Sequence, residues 1–327
     1  MATNLYSGSL PWAYGKNVSD LKTSSEALTE AGLNWGVRKE PLVAHLTLPD
    51  NSILDQPVRG KYTITRNDNN YPIGIVGKNF RAVPNLEAAA LLDSFAEEAE
   101  AKFEYAGSIG DGERVWFKVN LPKSIRIKDN PDEVVSFNLV LSNAFNGSKS
   151  LQMNFVPVLN SQAVILNTNT HKSDSMSIRH TSMYDTHIKE VRRVLKLSDT
   201  YFDTVGEMFN NLADIPVSKD KFQEVLNTIM PLPPADPETG DVPNQTRAEN
   251  TRAKLEALVD EQNAISPFPN TGWSTFVAIA NYNDHERTFK SKKDETGSQA
   301  DIRFLSILEG TSQKMKNEAL DVLLGLK

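Results

Sequence analysis

The 327-residue chain contains no cysteine. This excludes disulfides, thiolate zinc sites and cysteine nucleophiles, and it gives no support to a secreted, cross-linked fold. No apolar stretch approaches the length of a membrane span. The N-terminus shows no basic segment followed by an apolar run, so no signal peptide is expected, and the chain reads as a soluble cytoplasmic protein. There is no net positive charge. The formal balance is −7, which excludes a generally adhesive polycation and leaves only a local patch for any nucleic-acid contact. No internal repeat, serine nucleophile elbow or zinc-protease helix occurs. The glycines at 107, 110 and 112 lack the Gly-Lys-Ser/Thr ending of a phosphate loop and sit between two strand patterns, so they read as a hairpin turn.

What is present is ordinary in bulk, with 39% hydrophobic and 24% charged residues. The most informative stretch runs from 103 to 158. Val115, Phe117, Val119 and Leu121 alternate with Arg114, Trp116, Lys118 and Asn120. Val135, Phe137, Leu139 and Leu141 alternate with Val134, Ser136, Asn138, Val140 and Ser142, and Leu151, Met153 and Phe155 alternate with Gln152 and Asn154. Successive strand side chains point to opposite faces, so this is a half-buried sheet whose second face holds cations, a Trp, hydroxyls and amides but no carboxylate.

Around this sheet the chain reads in order. A short helix follows Ser24 and Ser25 and stops at Gly32. A hairpin of residues 58–66 and 72–77 turns at Asp68-Asn69-Asn70, with Tyr62 and Ile64 inward and Arg59, Lys61, Thr63 and Thr65 outward. A helix from Asn85 to about residue 102 uses Leu86, Ala89, Ala90, Leu92 and Phe95 as its apolar stripe and Asp93, Glu97, Glu98 and Glu100 as a solvated acidic face. A long helix to about residue 213 carries Val191, Leu195, Phe202, Val205, Phe209 and Leu212 at helical spacing. A shorter helix follows at 218–230, a proline-rich loop at 231–245, a polar helix at 247–263, a buried helix around Trp273, and one or two closing helices at 300–326. The fold class is α+β: an antiparallel sheet with a covering helix, then a mainly helical C-terminal region. The division falls at 1–182 and 183–327.

Two surfaces could carry function. On the polar sheet face, Arg114, Trp116 and Lys118, joined by Arg59 and Lys61, offer cations for phosphates and an aromatic for base stacking. The plain alternative is a solvated sheet face. The segment 171–196 sets Lys172, Arg179, Lys189, Arg192, Arg193 and Lys196 against Asp174, Asp185 and Glu190, six cations to three acids. It suits phosphate contacts at a helix start, or equally a solvated helix face. His171, Asp174, His180, Asp185 and His187 could ligate a divalent ion, although their spacing matches no ligand motif. Asp284-His285 could act as an acid-base pair, but a structural role fits better.

Several segments together resemble the phage/plasmid-like protein family, a domain of unknown function in bacteria and their viruses. They are Ser25-Glu26-Ala27-Leu28 with Ala31-Gly32-Leu33-Asn34-Trp35, and Gly74-Ile75-Val76-Gly77 with Phe80 and Val83-Pro84-Asn85. Tyr105-Ala106-Gly107-Ser108, Arg114-Val115-Trp116, Leu141-Ser142-Asn143 with Asn146-Gly147-Ser148, Ile178-Arg179-His180-Thr181, and Asn281-Tyr282 with Asp284-His285 complete the set. The resemblance implies a mobile-element context and supplies no activity. Where the family pattern has a basic, cysteine-containing strand, this chain has Val158-Leu159-Asn160-Ser161-Gln162. A second resemblance, in element order alone, is to phage single-strand annealing proteins, which form rings or filaments on DNA.

The expectation is a non-enzymatic, phage-type single-stranded DNA-binding and annealing protein of recombination or replication. It would be a homo-oligomer in the host cytoplasm, without a cofactor. Arg59, Lys61, Arg114, Trp116, Lys118, Arg179, Lys189, Arg192 and Arg193 would contact the strand. The alternatives are a metal-dependent nucleic-acid enzyme built on the His/Asp cluster, and an interaction protein directed at a host factor.

Overall fold

The computed structural model describes residues 11–166, 175–178, 187–235, 244–289 and 298–326, with 238 and 242. A 3₁₀ turn, Pro11–Tyr14, leads to the two-residue strand β1 (Lys16–Asn17). Thr23 then opens helix α1 (Ser24–Glu30). Its hydroxyl accepts the Glu26 N–H while the Glu26 carboxylate accepts the Thr23 N–H, a capping box that satisfies two otherwise orphaned donors. Gly32 ends the helix at φ +66°, as its position predicts. Strands β2 (Val37–Thr47), β3 (Ile53–Arg66) and β4 (Pro72–Gly77) form a small antiparallel sheet in that order. Helix α2 (Asn85–Glu98) follows.

The two-faced stretch folds as an antiparallel meander of β5 (Lys102–Ile109), β6 (Arg114–Arg126), β7 (Val134–Ala144) and β8 (Leu151–Leu159). Strand β1 pairs with β5 at one edge, and β9 (Val164–Ile165) and β10 (Ser175–Ile178) both pair with β8 at the other. Helices α3 (His187–Asp214), α4 (Lys219–Ile229), α5 (Gln245–Ile265) and α6 (Gly272–Asn281) come next. A π-helical turn (Tyr282–Glu286) then precedes α7 (Gln299–Glu309) and α8 (Thr311–Gly325). The architecture is α+β, with a covering helix and a helical C-terminal region.

The apolar face is buried as its alternation predicts. Val115, Phe117, Val119, Phe137, Leu139, Leu141, Leu151 and Phe155 all lie in one core with Leu28, Leu92, Phe202, Phe209, Phe276 and Leu323. That core joins the sheet to helices from both halves of the chain. The stripe of α2 is rotated from the expected one. Ala88, Ala89, Leu91 and Leu92 are buried, whereas Leu86 is exposed. Asp93 is not simply solvated either. It accepts the Ser24 N–H at 2.7 Å and the Ser24 hydroxyl at 2.6 Å, fastening α2 to the start of α1.

One polar contact fixes the C-terminal helices to the sheet edge. The side chains of Asp284 and Lys316 are wholly buried and meet at 2.5 Å. Asp284 also accepts the Ile165 N–H at 2.7 Å, and the Lys316 ammonium donates to the Ile165 carbonyl at 2.7 Å. Removing one partner of such a pair leaves an uncompensated charge in the core. Lys316→Met is therefore expected to lower the unfolding free energy by about 3–5 kcal/mol, measured by urea denaturation. A loss below about 1 kcal/mol would show that the pair does not anchor the helices.

Candidate nucleic-acid interface

Register fixes the second face of the large sheet. Tyr105 of β5 lies opposite Lys118, and Gly107 opposite Trp116. On the other side of β6, Trp116 faces Ser142, Lys118 faces Val140, and Asn120 faces Asn138. Ser136 then faces Val158 on β8. Arg114, Trp116 and Lys118 share this face, as their spacing predicts.

They do not form an exposed surface. Arg114, Trp116 and Lys118 are 7%, 3% and 5% exposed. Trp12 and the inner side of α7 cover one end of the face. Ile109, Trp116, Val140, Val156, Ile165, Phe304 and Ile307 form a second hydrophobic core there. The Trp116 and Phe304 rings lie 4.7 Å apart. The face is not free of acid either. Arg114 pairs with Glu309 at the end of α7, and Lys118 with Glu104 of β5. The physical reason is that Trp116, Val140, Val156 and Ile109 make an apolar patch large enough to require a cover. Burial lowers the Arg114 guanidinium to about 10, still charged at neutral pH.

The end of the face that α7 leaves uncovered is a groove of about 600 Å³. Its floor and walls include Trp12, Tyr105, Lys118, Asn120, Asn138 and Asn160, with Lys123 also in its lining. The β6–β7 register shifts between Asn120 and Ser124, so residues 121–123 bulge and carry Lys123 to the groove. The amides are held in place: Asn138 donates to the Val156 carbonyl at 3.2 Å, and Ser136 donates to Asn160 Oδ1 at 2.7 Å. The Lys118 ammonium lies 4.9 Å from the Trp12 ring centre and 5.9 Å from that of Tyr105. Burial pushes the Lys118 ammonium down to about 7. Lys123 pairs with Asp203 at 3.2 Å. Tyr105, Asn120, Asn160 and Lys123 are thus gathered in one concavity, backed by the largely buried Trp12, Asn138 and Lys118 and with Glu104 also in its lining, and it can hold a planar, hydrogen-bonding ligand with negative charge near the lysines.

The remaining expected residues fall elsewhere. Arg59 and Lys61 are exposed, but on the small sheet rather than beside the groove. Arg179 lies outside the described residues, as do the side chains of Lys189, Arg192 and Arg193. The metal-site candidates His171, Asp174, His180 and Asp185 also lie outside them, with the side chain of His187. Among the described residues no group of three or more His, Asp or Glu could hold a metal ion. Asp284 is used by the buried pair, and His285 Nε2 sits 3.2 Å from the Ala163 carbonyl oxygen, so this dipeptide serves structure. Lys123 and Asn160 escaped the sequence reading because a bulge and a strand end break the alternation. Trp12 escaped because nothing local links it to a strand more than ninety residues away. Asn120 and Asn138 were visible as amides on the polar face.

The chain is thus an α+β protein whose antiparallel sheet is covered by helices on one face and by a helix and a groove on the other. It belongs to the family described as Domain of unknown function (DUF932), which matches residues 72–303. No curated protein and no solved structure matches the chain. The first resemblance therefore holds at the level of a family without assigned activity, and nothing in these comparisons supports the second, to annealing proteins.

The family segments Tyr105-Ala106-Gly107-Ser108 and Arg114-Val115-Trp116 meet across the β5–β6 ladder, and the reason for the glycine is steric. A Cβ on Gly107 would lie 2.7 Å from Trp116 Cζ2, and the indole is held against Phe304. Gly107→Ala is expected to cost about 1–3 kcal/mol of stability by overpacking, read from the urea midpoint. An unchanged midpoint would show that the indole can yield.

Proposed function

We propose that the protein binds single-stranded DNA as a homo-oligomer and acts in recombination or replication without chemistry of its own, with the groove as the strand site. The observation that carries this reading is the gathering of Trp12, Tyr105, Asn120, Asn138, Lys118 and Lys123 around one cavity of about 600 Å³. Stacking faces accept any base, amides meet base edges, and ammonium groups meet phosphates. The resemblance to phage and plasmid proteins supplies a mobile-element context, to which recombination or replication belongs as part of this proposal. The strand site differs from the one expected of the open sheet face. Arg114 and Lys118 are buried with acidic partners, so replacing them by Glu reports on folding as much as on binding.

Fluorescence anisotropy with a labelled oligonucleotide across a salt series tests the reading. Neutralising two phosphates gives a log–log salt slope of about −1.4. Tyr105→Ala is expected to weaken binding by about 1–3 kcal/mol through lost stacking, and Lys123→Glu by about tenfold or more. Absent or salt-independent binding sinks the proposal.

The pH dependence has a definite sign. With its ammonium at about 7, Lys118 is charged below that pH and neutral above it. Affinity should therefore fall as the pH rises from about 6 to about 8, and Lys118→Met, with an unchanged circular-dichroism spectrum and thermal unfolding, should flatten that profile. An equally steep profile in Lys118→Met would place the titrating group elsewhere.

A further inference from the structure

Two loops are laced together among the C-terminal helices. The link between α3 and α4 pairs with the link between α5 and α6. Val217 donates its N–H to the Asn270 carbonyl at 2.9 Å, and Gly272 donates to the Ile215 carbonyl at 2.8 Å. Pro216 and Thr271 form an isolated antiparallel bridge between these bonds. Asn270 turns at φ +56°, and the Thr271 side chain caps α6, so the junction is fixed on both sides. Between it and the facing sides of α4 and α5 lies a cavity of about 270 Å³. It shares no residue with the groove on the large sheet.

The cavity has an apolar floor and a charged mouth. The buried Val217, Phe222 and Val259 make the floor. Thr275 is 1% exposed and lines it too, and its hydroxyl makes no hydrogen bond among the described residues. On α5, Glu256, Val259, Asp260 and Asn263 fall at i, i+3, i+4 and i+7, so one helical face turns toward the cavity. Asn263 Oδ1 accepts the Asn270 N–H at 2.8 Å and the Ser274 hydroxyl at 2.7 Å, which leaves its amide N–H groups to donate. Glu256 Oε1 accepts from Gln223 at 2.7 Å. Asp260 on α5 and Lys219 at the start of α4 are exposed and make no ion pair among the described residues. The first N–H groups of α4 add to the positive side of the mouth.

We propose that this cavity binds a free α-amino acid with an apolar side chain. Its carboxylate meets Lys219 and the start of α4, its ammonium meets Asp260, and its side chain lies on Val217, Phe222 and Val259. The class of ligand follows from the charges. A simple amine would meet Lys219 as a like charge, and a simple carboxylate would meet Asp260 as one, whereas a zwitterion complements both. The volume falls just below the range usual for drug-sized ligands, which suits a molecule of amino-acid size. The Thr275 hydroxyl and the Asn263 amide supply further hydrogen bonds. The site stands apart from strand binding, and neither reading depends on the other.

Isothermal titration calorimetry on the full chain tests this, with L-leucine, L-isoleucine, L-valine, L-methionine and L-phenylalanine as probes. At least one is expected to bind with a Kd of about 1 mM or below. The tightest binder is then compared with its analogue lacking the carboxylate (isoamylamine for leucine, phenethylamine for phenylalanine), which should bind about tenfold or more weakly. Asp260→Asn and Lys219→Gln should each weaken the amino acid about tenfold, with unchanged thermal unfolding of the free protein because both side chains are exposed. Lys219→Gln should leave the affinity for the amine analogue undiminished. No binding of any probe up to about 10 mM overturns the proposal. An amine analogue that binds as tightly as its amino acid overturns the zwitterion. Binding that neither variant weakens overturns the site.

Discussion

Two full charges, Asp284 and Lys316, are held together out of water at the point where the C-terminal helices meet the large sheet. Burying them is costly unless every hydrogen-bonding position is used. Here Ile165 supplies both of the extra partners, its N–H to the carboxylate and its C=O to the ammonium. The ion pair thus satisfies a strand edge that a further strand would otherwise have to cover. Asp284 lies in the π-helical turn, and its carbonyl accepts from Arg303 of α7 at 2.7 Å. The same turn therefore sets α7, and α7 sets what happens on the second face of the sheet.

That face is divided by the placement of α7. Where Phe304 and Ile307 reach, Trp116, Val140 and Val156 become core, and Arg114 is neutralised by Glu309. Where α7 does not reach, a groove remains, lined by Asn120, Asn160 and Lys123 and backed by the largely buried Asn138 and the Lys118–Glu104 pair. The groove is what remains of a polar face after its apolar half has been covered. Its lysines each have a carboxylate nearby, which suits a protein of net charge −7 that engages an anion locally without general adhesion.

Several of the segments that carry the resemblance form joints between elements. A Cβ on Gly74 would lie 2.5 Å from the Phe145 carbonyl oxygen and from Asn146 Cα, so the small sheet packs backbone to backbone against the turn after β7. Asn143 donates to the Val83 carbonyl and Asn85 to the Leu33 carbonyl, both at 2.9 Å and both buried. Trp35 meets Phe145 at 5.5 Å. These contacts fasten the small sheet, α1 and α2 to the large one.

Local chemistry determined the elements. Period-two alternation fixed the core face of β6, β7 and β8, Gly32 stopped α1, and the stripe through Phe202, Val205, Phe209 and Leu212 fixed the buried side of α3. These signals are contained within a dozen residues, so they survive without knowledge of the partner. Only the tertiary structure decided the fate of the other sheet face. Arg114, Trp116 and Lys118 read as one exposed strip, yet Glu309 and Phe304 lie almost two hundred residues along the chain and turned two thirds of that strip into core. An alternating pattern tells which side chains share a face. Whether that face meets water depends on which distant helix has an apolar side to spare, and spacing along the chain does not encode that.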